Sequence, residues 1–383
     1  MRRKILLFGG IAAGIVVVLV ILVGPAAPLL VKLGAEPVCI QGDWPDLKLV
    51  SCPEEGGIGV TVTAMPIPSP GPDGPVPVLF DDDGSPDGMV ALLFLLSDPR
   101  YDVQAVTVSP GEAHPRLFAG HVSRLLDALG RPDVAVGYGR EAPLEGDNAF
   151  PEPWRQSSDA FFGVTLPGTR SVTAPVPAAA LIVRTLSEAT RPMLVFLSGT
   201  HTNLAEALRL EPSIGDKVLG IYVMGGAVQV PGNIESDWPG IANRVAEWNI
   251  WVDPVAAHEI FVSGIPLHLV PLDATDKVAW MATDATTWAD AGTPEGVLAA
   301  QILEEMLRSW SAESVYLWDL VAAATMTDAR LCVEEPRELD VVVEPGPEQG
   351  RTAVVDGDPN TQVCLDPDAD QIRARVAAIF SRR

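Results

Sequence analysis

Val78-Leu79-Phe80-Asp81-Asp82-Asp83-Gly84-Ser85-Pro86-Asp87-Gly88-Met89-Val90-Ala91-Leu92 reads as a buried strand, three successive carboxylates, a small-residue turn and an apolar helix with Asp87 at its mouth. A strand feeding directly into a helix opens a βα unit. Carboxylates packed this tightly repel one another unless a cation or a positive dipole offsets them. A hard cation with oxygen ligands would do so. A plainer explanation is that Asp87 caps the helix while the others sit solvated in the turn. The stretch alone does not separate the two.

Downstream, further apolar runs alternate with amphipathic stretches. Val103–Ser109, Val134–Val136, Met193–Ser198, Val218–Met224 and Leu267–Pro271 join Val76–Phe80 as predicted strands, rich in Val, Leu and Ile as strands covered on both faces must be. Leu117, Phe118, Val122, Leu125, Leu126 and Leu129 fall on one helical face after Pro115, and Ala178–Leu186, Leu204–Leu210 and Pro254–Val262 look similar. The alternation predicts an α/β fold: an open, mostly parallel sheet with helices on both faces. Ligands in such folds gather at the carboxyl ends of the strands. No internal repeat is visible.

Upstream, Arg2, Arg3 and Lys4 precede Ile5–Val23, a run with no charged or strongly polar side chain. Such a run nearly spans a hydrocarbon core of about 30 Å as a helix. It is longer than the apolar core of a cleaved signal peptide, and Gly24-Pro25-Ala26 makes a poor cleavage site. The expectation is a signal-anchor: one N-terminal transmembrane helix, with the basic tip inside and everything after Lys32 outside the cell membrane. Residues 1–32 are then tip and anchor, and 33–75 a small extracytoplasmic segment with a Pro-rich linker. Residues 76–383 form the catalytic body. None of the four cysteines lies in a C-x-x-C pair, which weakens zinc and thioredoxin-like readings. An even count outside the membrane favours two disulfides, Cys39–Cys52 and Cys332–Cys364, over four buried thiols.

The whole chain has 383 residues and a formal net charge of −24. Its length suits one large α/β domain or two ordinary ones. Nucleic acid is excluded as a partner class, because phosphate binding needs Lys and Arg to neutralise it.

Two families carry a strand-end Asp cluster of this kind. Phe80-Asp81-Asp82-Asp83-Gly84-Ser85 resembles the first motif of haloacid-dehalogenase-type phosphatases, with Asp81 as nucleophile and Asp83 as acid/base. The same stretch resembles the D-x-D-P-G-x-D-D opening of nucleoside hydrolases, and the rest of the chain favours that family. Leu197-Ser198-Gly199-Thr200-His201-Thr202-Asn203-Leu204-Ala205 is similar to its G-P-L-T-N-L-A segment. Met224-Gly225-Gly226-Ala227, Pro231-Gly232-Asn233, Ala246-Glu247-Trp248-Asn249 and Asp253-Pro254 follow its M-G-G, G-N, A-E-F-N and D-P order. Trp318-Asp319-Leu320-Val321-Ala322 falls at its H-D-x-x-A, and Val341–Glu344 and Arg351–Asp356 resemble its closing strands.

The chain is thus identified as a divergent, membrane-anchored member of the inosine/uridine-preferring nucleoside hydrolase family, over about residues 76–380. The resemblance implies a hydrolase that splits the N-glycosidic bond of ribonucleosides or related N-ribosides into base and ribose. It implies Ca2+, held by Asp83, the Thr202 backbone carbonyl and Asp319. Asp83 would also take a proton from the attacking water. Asp87 would grip the ribose hydroxyls, while Asn233, Glu247, Asn249 and Met224 line the sugar pocket. The expected partners are a small nucleoside, the membrane and, for a homo-oligomer, another copy of the chain.

The sequence departs from that pattern in four places. Gly88 stands where the family has the second Asp of its D-D pair, a bidentate calcium ligand. Water, Asp82, Asp87 or Glu112 is available to fill the place, and the sequence does not choose. Trp318 replaces a His that protonates the leaving base; it has no titratable proton but can stack on a base. Glu112 stands where a Gly-Asn pair is expected, leaving His114 beside it as a candidate proton donor. His201 replaces a Leu next to Thr202. Gly88 and Trp318 motivate a second reading, a catalytically impaired nucleoside- or sugar-binding homologue.

Overall fold

A computed structural model describes residues 74–166 and 174–382. The expected anchor, the spacer and the Cys39–Cys52 pair lie outside the described residues. No helix among the described residues is long and apolar enough to cross a membrane.

The centre is a nine-stranded sheet. Its strands are β1 Val76–Asp82, β2 Tyr101–Val108, β3 Ala135–Tyr138, β4 Val176–Pro177, β5 Met193–Leu197, β6 Val218–Met224, β7 Leu267–Val270, β8 Cys332–Arg337 and β9 Thr361–Pro367. They lie in the order β8-β9-β7-β6-β5-β1-β2-β3-β4. Neighbours are parallel from β9 through β4, and β8 is antiparallel at one edge. The chain builds outward from β1 to β4 on one side, then returns to β5 and builds the other. The order therefore reverses between β1 and β5, which opens a crevice at their carboxyl ends.

Both faces are covered, as the unbroken apolar runs require. Phe80 stacks on Phe196 with ring centroids 5.2 Å apart on one face. Its neighbour Leu79 points the other way, into a core with Ile182, Leu204 and Ile260. The helix Pro86–Ser97 begins at Ser85, whose Oγ accepts from Gly88 N at 2.9 Å, with Pro86 pre-set for the first turn. Residues Met89 to Leu95 are all fully buried. Such a helix needs neighbours on every side, and it packs against Pro294–Ser309, Trp318–Thr327 and Ala369–Phe380. Its last turn ends at Asp98, a fully buried carboxylate bonded by Arg100 at 2.7 Å and Arg375 at 2.8 Å.

The predicted strands and helices are present, with boundaries shifted by a few residues. The expected closing strands are displaced. They appear as Leu339–Val341 and Thr352–Val354, which pair with each other outside the main sheet and pack by helix Pro254–Phe261. The sheet edge is closed by β9 and β8 instead, tied by the Cys332–Cys364 disulfide with Cα atoms 5.8 Å apart.

Candidate active site

Asp83 follows the last residue of β1 at the strand-order reversal. Its Oδ2 accepts from Glu112 N at 3.1 Å, and its carbonyl from Ala113 N at 2.9 Å. Two glycines let other loops close on it. A Cβ on Gly111 would lie 2.3 Å from Asp83 Oδ2, and one on Gly199 would lie 2.7 Å from Asp83 Cβ. Burial pushes the Asp83 carboxyl well above the carboxylate range, and the charges of Asp82 and Glu112 push it further.

Two helix N-termini bring the next carboxylates in. Asp87 sits in the first turn of Pro86–Ser97 and Asp319 in that of Trp318–Thr327. Asp319 N donates to Asp87 Oδ2 at 3.1 Å, and Ser85 Oγ donates to Asp319 Oδ2 at 2.9 Å. Ser85, rather than Asp87, is the cap, so the simple capping explanation for Asp87 does not hold. The positive helix ends offset part of the cost of these charges. Burial still raises both carboxyls, that of Asp319 well above its usual range.

Asp83, Asp87 and Asp319 share one cleft of about 410 Å³ with Glu112, Met224, Asn233, Glu247, Asn249 and Trp318. Glu247 caps the helix Trp248–Val252; it accepts from Asn249 N and Gly226 N, each at 2.9 Å. Burial pushes its carboxyl to about 7. The Asn249 amide donates to Met224 O at 3.3 Å, while Asn233 Oδ1 is buried with no partner and so is a free acceptor. Trp318 presents its ring to the cleft, with its indole N–H held by Asp276 Oδ1 at 2.8 Å.

Sequence reasoning missed the aromatic wall. Phe150, Trp154 and Trp248 line the cleft together, with centroids 4.9 Å apart for Phe150–Trp248 and 5.3 Å for Trp154–Trp248. The signal available was Phe150-Pro151-Glu152-Pro153-Trp154, large aromatics in a Pro-stiffened loop between strands. Ser198, at the end of β5, was quoted only as part of a motif and also lines the cleft.

Other expectations fall outside the cleft walls. Thr202 is not among the lining residues, and its hydroxyl turns to Asp253 Oδ2 at 2.6 Å. His114 is held by Asp159 Oδ2 at 2.7 Å. His201 is fully buried with neither ring nitrogen bonded, and burial pushes it down to about 3, so it stays neutral. Neither histidine faces the site as a proton donor. Asp81, the nucleophile of the phosphatase alternative, is fully buried and bonded by Thr107 and by Asn203 Nδ2 at 2.8 Å. It too lies off the cleft, so that reading lacks its nucleophile.

Among the described residues, no three His, Cys, Asp or Glu side chains stand so as to hold a metal ion as they lie. The donor type nonetheless suits a hard cation. The cluster offers buried oxygen alone, and Asp82, Asp83, Asp87 and Asp319 make no ion pair with Lys, Arg or His among the described residues.

Residues 78–374 match the family model described as inosine-uridine preferring nucleoside hydrolase. A pyrimidine-specific ribonucleoside hydrolase of Citrobacter koseri is 31% identical over 303 residues, 76% of this chain and 94% of that protein. The purine-preferring ribonucleoside hydrolase of Gardnerella vaginalis superposes with a TM-score of 0.69 at 24% identity, over 80% of this chain and 99% of that one. The inosine-uridine preferring nucleoside hydrolase of Bacillus anthracis gives a TM-score of 0.66 at 24% identity, over 80% and 99%. These two likenesses are of fold.

Proposed function

Because this chain belongs to the inosine-uridine preferring nucleoside hydrolase family, we propose that it cleaves ribonucleosides or related N-ribosides to the free base and ribose. The observation that carries the reading is one cleft at the strand-order reversal, where Asp83 and Asp87 from one stretch and Asp319 from a distant one meet two amides and an aromatic wall.

The residues suit the bond to be broken. As the bond from ribose C1′ to the base nitrogen lengthens, the electron pair leaves with the base and the sugar gains oxocarbenium character. Fixed carboxylates and amide oxygens favour that positive charge over the neutral ground state. Asp87 and the free Asn233 Oδ1 accept hydrogen bonds from sugar hydroxyls, while Glu247, its oxygens engaged by backbone N–H groups, holds Asn249 and the Gly226 turn in place. Asp83 takes one proton from the attacking water as its oxygen bonds to C1′. Asp83, Asp319 and the Thr202 carbonyl are the residues that would hold calcium, and its positive charge would favour the ionised form of these carboxyls. Trp154, Trp248 and Trp318 offer flat faces to the departing base, and none offers a titratable proton.

The basic tip, the apolar run Ile5–Val23 and the Pro-rich linker support residues 1–32 as a membrane anchor, with 33–75 a spacer and 76–383 an extracytoplasmic enzyme. The Cys332–Cys364 disulfide agrees with an oxidising compartment. Gly88, and the lack of a ready three-residue metal group among the described residues, favour one second reading, a homologue that binds nucleoside without turnover. The full chain, incubated with calcium and a panel that includes uridine, cytidine and inosine, is expected to release reducing sugar. Calorimetric binding of a nucleoside without sugar release would select the second reading, and neither binding nor release would defeat both.

A further inference from the structure

We infer that the base end of the cleft is built for N-ribosides whose base carries a positive charge, of the pyridinium or N-alkylated purine kind, in preference to neutral nucleobases. The inference rests on reading the cleft as an N-riboside hydrolase, and it concerns which bases that hydrolase prefers.

Composition sets the base end apart. Trp154, Trp248, Trp310 and Trp318 line it, and Trp310 is half-exposed. Carboxylates stand at the edges of two of these rings. Asp237, itself a lining residue, accepts from the Trp248 indole N–H through Oδ2 at 3.2 Å, and Asp276 Oδ1 accepts from that of Trp318 at 2.8 Å. An indole is positive at its edge and negative on its faces. Acids at the N–H edge therefore leave the negative faces to a ligand and add their own charge nearby, the combination that favours an organic cation.

The protein's own cations are turned elsewhere. No Lys, Arg or His lines the cleft. Arg244, on the same segment as Asp237, is taken by Glu235 at 2.7 Å, and Arg308 by Glu305. Lys277, next to Asp276, reaches Leu365 O at 2.6 Å and Asp366 at 3.8 Å. Among the described residues neither Asp237 nor Asp276 makes an ion pair, and no arginine lies over a ring of the cleft. Both acids remain open to solvent on one side. Partial burial raises the Asp237 carboxyl, as does the charge of Asp276, and a cation arriving beside it would act against both.

The chemistry agrees with a charged base. A neutral base gains a proton as it leaves, yet Trp318 has none to give and His114 and His201 are held away from the site. A charged base needs no such acid. When the bond from ribose C1′ to its nitrogen breaks, the electron pair stays with the ring and cancels the ring's charge. The oxygen of water bonds to C1′, Asp83 takes one of the water protons, and the products are ribose, the neutral base and a proton passed on to solvent. The positive charge thus moves from the aromatic end toward the sugar, and acidic groups face it throughout.

The test compares nicotinamide riboside, a fixed pyridinium, with uridine and inosine as substrates of the full chain in calcium. Because a charged base leaves readily from any enzyme, KM and its response to substitution are read rather than kcat. The wild type is expected to show a KM for the pyridinium at least about tenfold below those for the neutral nucleosides. Asp237→Asn keeps an acceptor for the Trp248 N–H, and it should raise the pyridinium KM at least about threefold more than it raises the others. Added salt should weaken the pyridinium more than the neutral substrates. Asp276→Asn should act in the same direction, and it decides if the first variant does not fold. Equal KM values for charged and neutral substrates, or variants that shift all of them alike, overturn the inference, while sugar release keeps the hydrolase reading. Salt-sensitive binding of the pyridinium by calorimetry, weakened in Asp237→Asn and with no sugar released from any riboside, supports the inference and defeats that reading. Neither binding nor release overturns both.

Discussion

The helix Pro86–Ser97 has a buried acidic group at each end, and the two ends are built on opposite plans. At its carboxyl end Asp98 is fully buried and met by the guanidinium groups of Arg100 and Arg375. At its amino end Asp82, Asp83, Asp87 and Asp319 are as deeply buried, and among the described residues no cationic side chain pairs with them. Burial is the same; provision for the charge is not. Where the fold needs only to stand, it supplies its own counter-charge. Where it leaves carboxylates without a partner, the arrangement is the one the proposed function calls for, since a positive charge arriving from outside would offset them.

Substitutions at the two ends should separate activity from stability. The largest effect is expected from Asp83→Ala, which should lower kcat/KM by about 10²- to 10⁴-fold, the span of a lost general base. Its melting temperature should not fall, because a buried unpaired carboxyl goes with it; paired assays of sugar release and thermal unfolding check both halves. Asp98→Ala should do the reverse, costing about 3 kcal/mol of stability in urea titrations by stranding its arginines, with turnover per folded molecule unchanged. A loss of turnover at constant stability in Asp98→Ala would break the comparison.

Acidity sharpens the contrast further. Burial pushes the carboxyls of Asp81 and Glu247 to about 7 and those of Asp82 and Glu112 to about 8. Carboxyls in the unfolded chain titrate near 4, so between those values the folded protein holds protons that the unfolded one releases. In chelator, the stability tied to these groups should be complete below about pH 4 and should drain away as pH climbs through about 8. Melting curves across that range, with and without calcium, are expected to diverge most at the alkaline end. The smallest effect should come from Trp154→Ala, raising KM by roughly tenfold for the loss of about 1–2 kcal/mol of stacking, with kcat little altered. Initial-rate kinetics on uridine and inosine would measure it.

Much of this was legible in the sequence because parallel sheets write themselves plainly. Val78-Leu79-Phe80 and Met193–Ser198 are apolar without interruption, since both faces of their strands are covered. The strand-end acids at Asp81–Asp83 marked the crevice, while Asp87, Asn233, Glu247, Asn249 and Asp319 were named because their motifs follow the nucleoside hydrolase order along the chain. Trp154 was missed, because its loop follows no period and its partners Trp238 and Trp248 lie far along the chain. The closing strands misled because short apolar stretches near the C-terminus pair locally as readily as they extend a sheet, and Cys332 and Cys364 mark the true border.

That border has a bearing on how the molecule comes apart. The helix Ala369–Phe380 hangs from β9 and carries Arg375, which reaches back to Asp98. With the cystine open, unravelling would start at the tail and free that arginine, leaving Asp98 to Arg100 alone, while the pocket at the opposite end of the same helix still held its shape. Preparations made under reducing conditions should therefore be trimmed by carboxypeptidase before they lose activity.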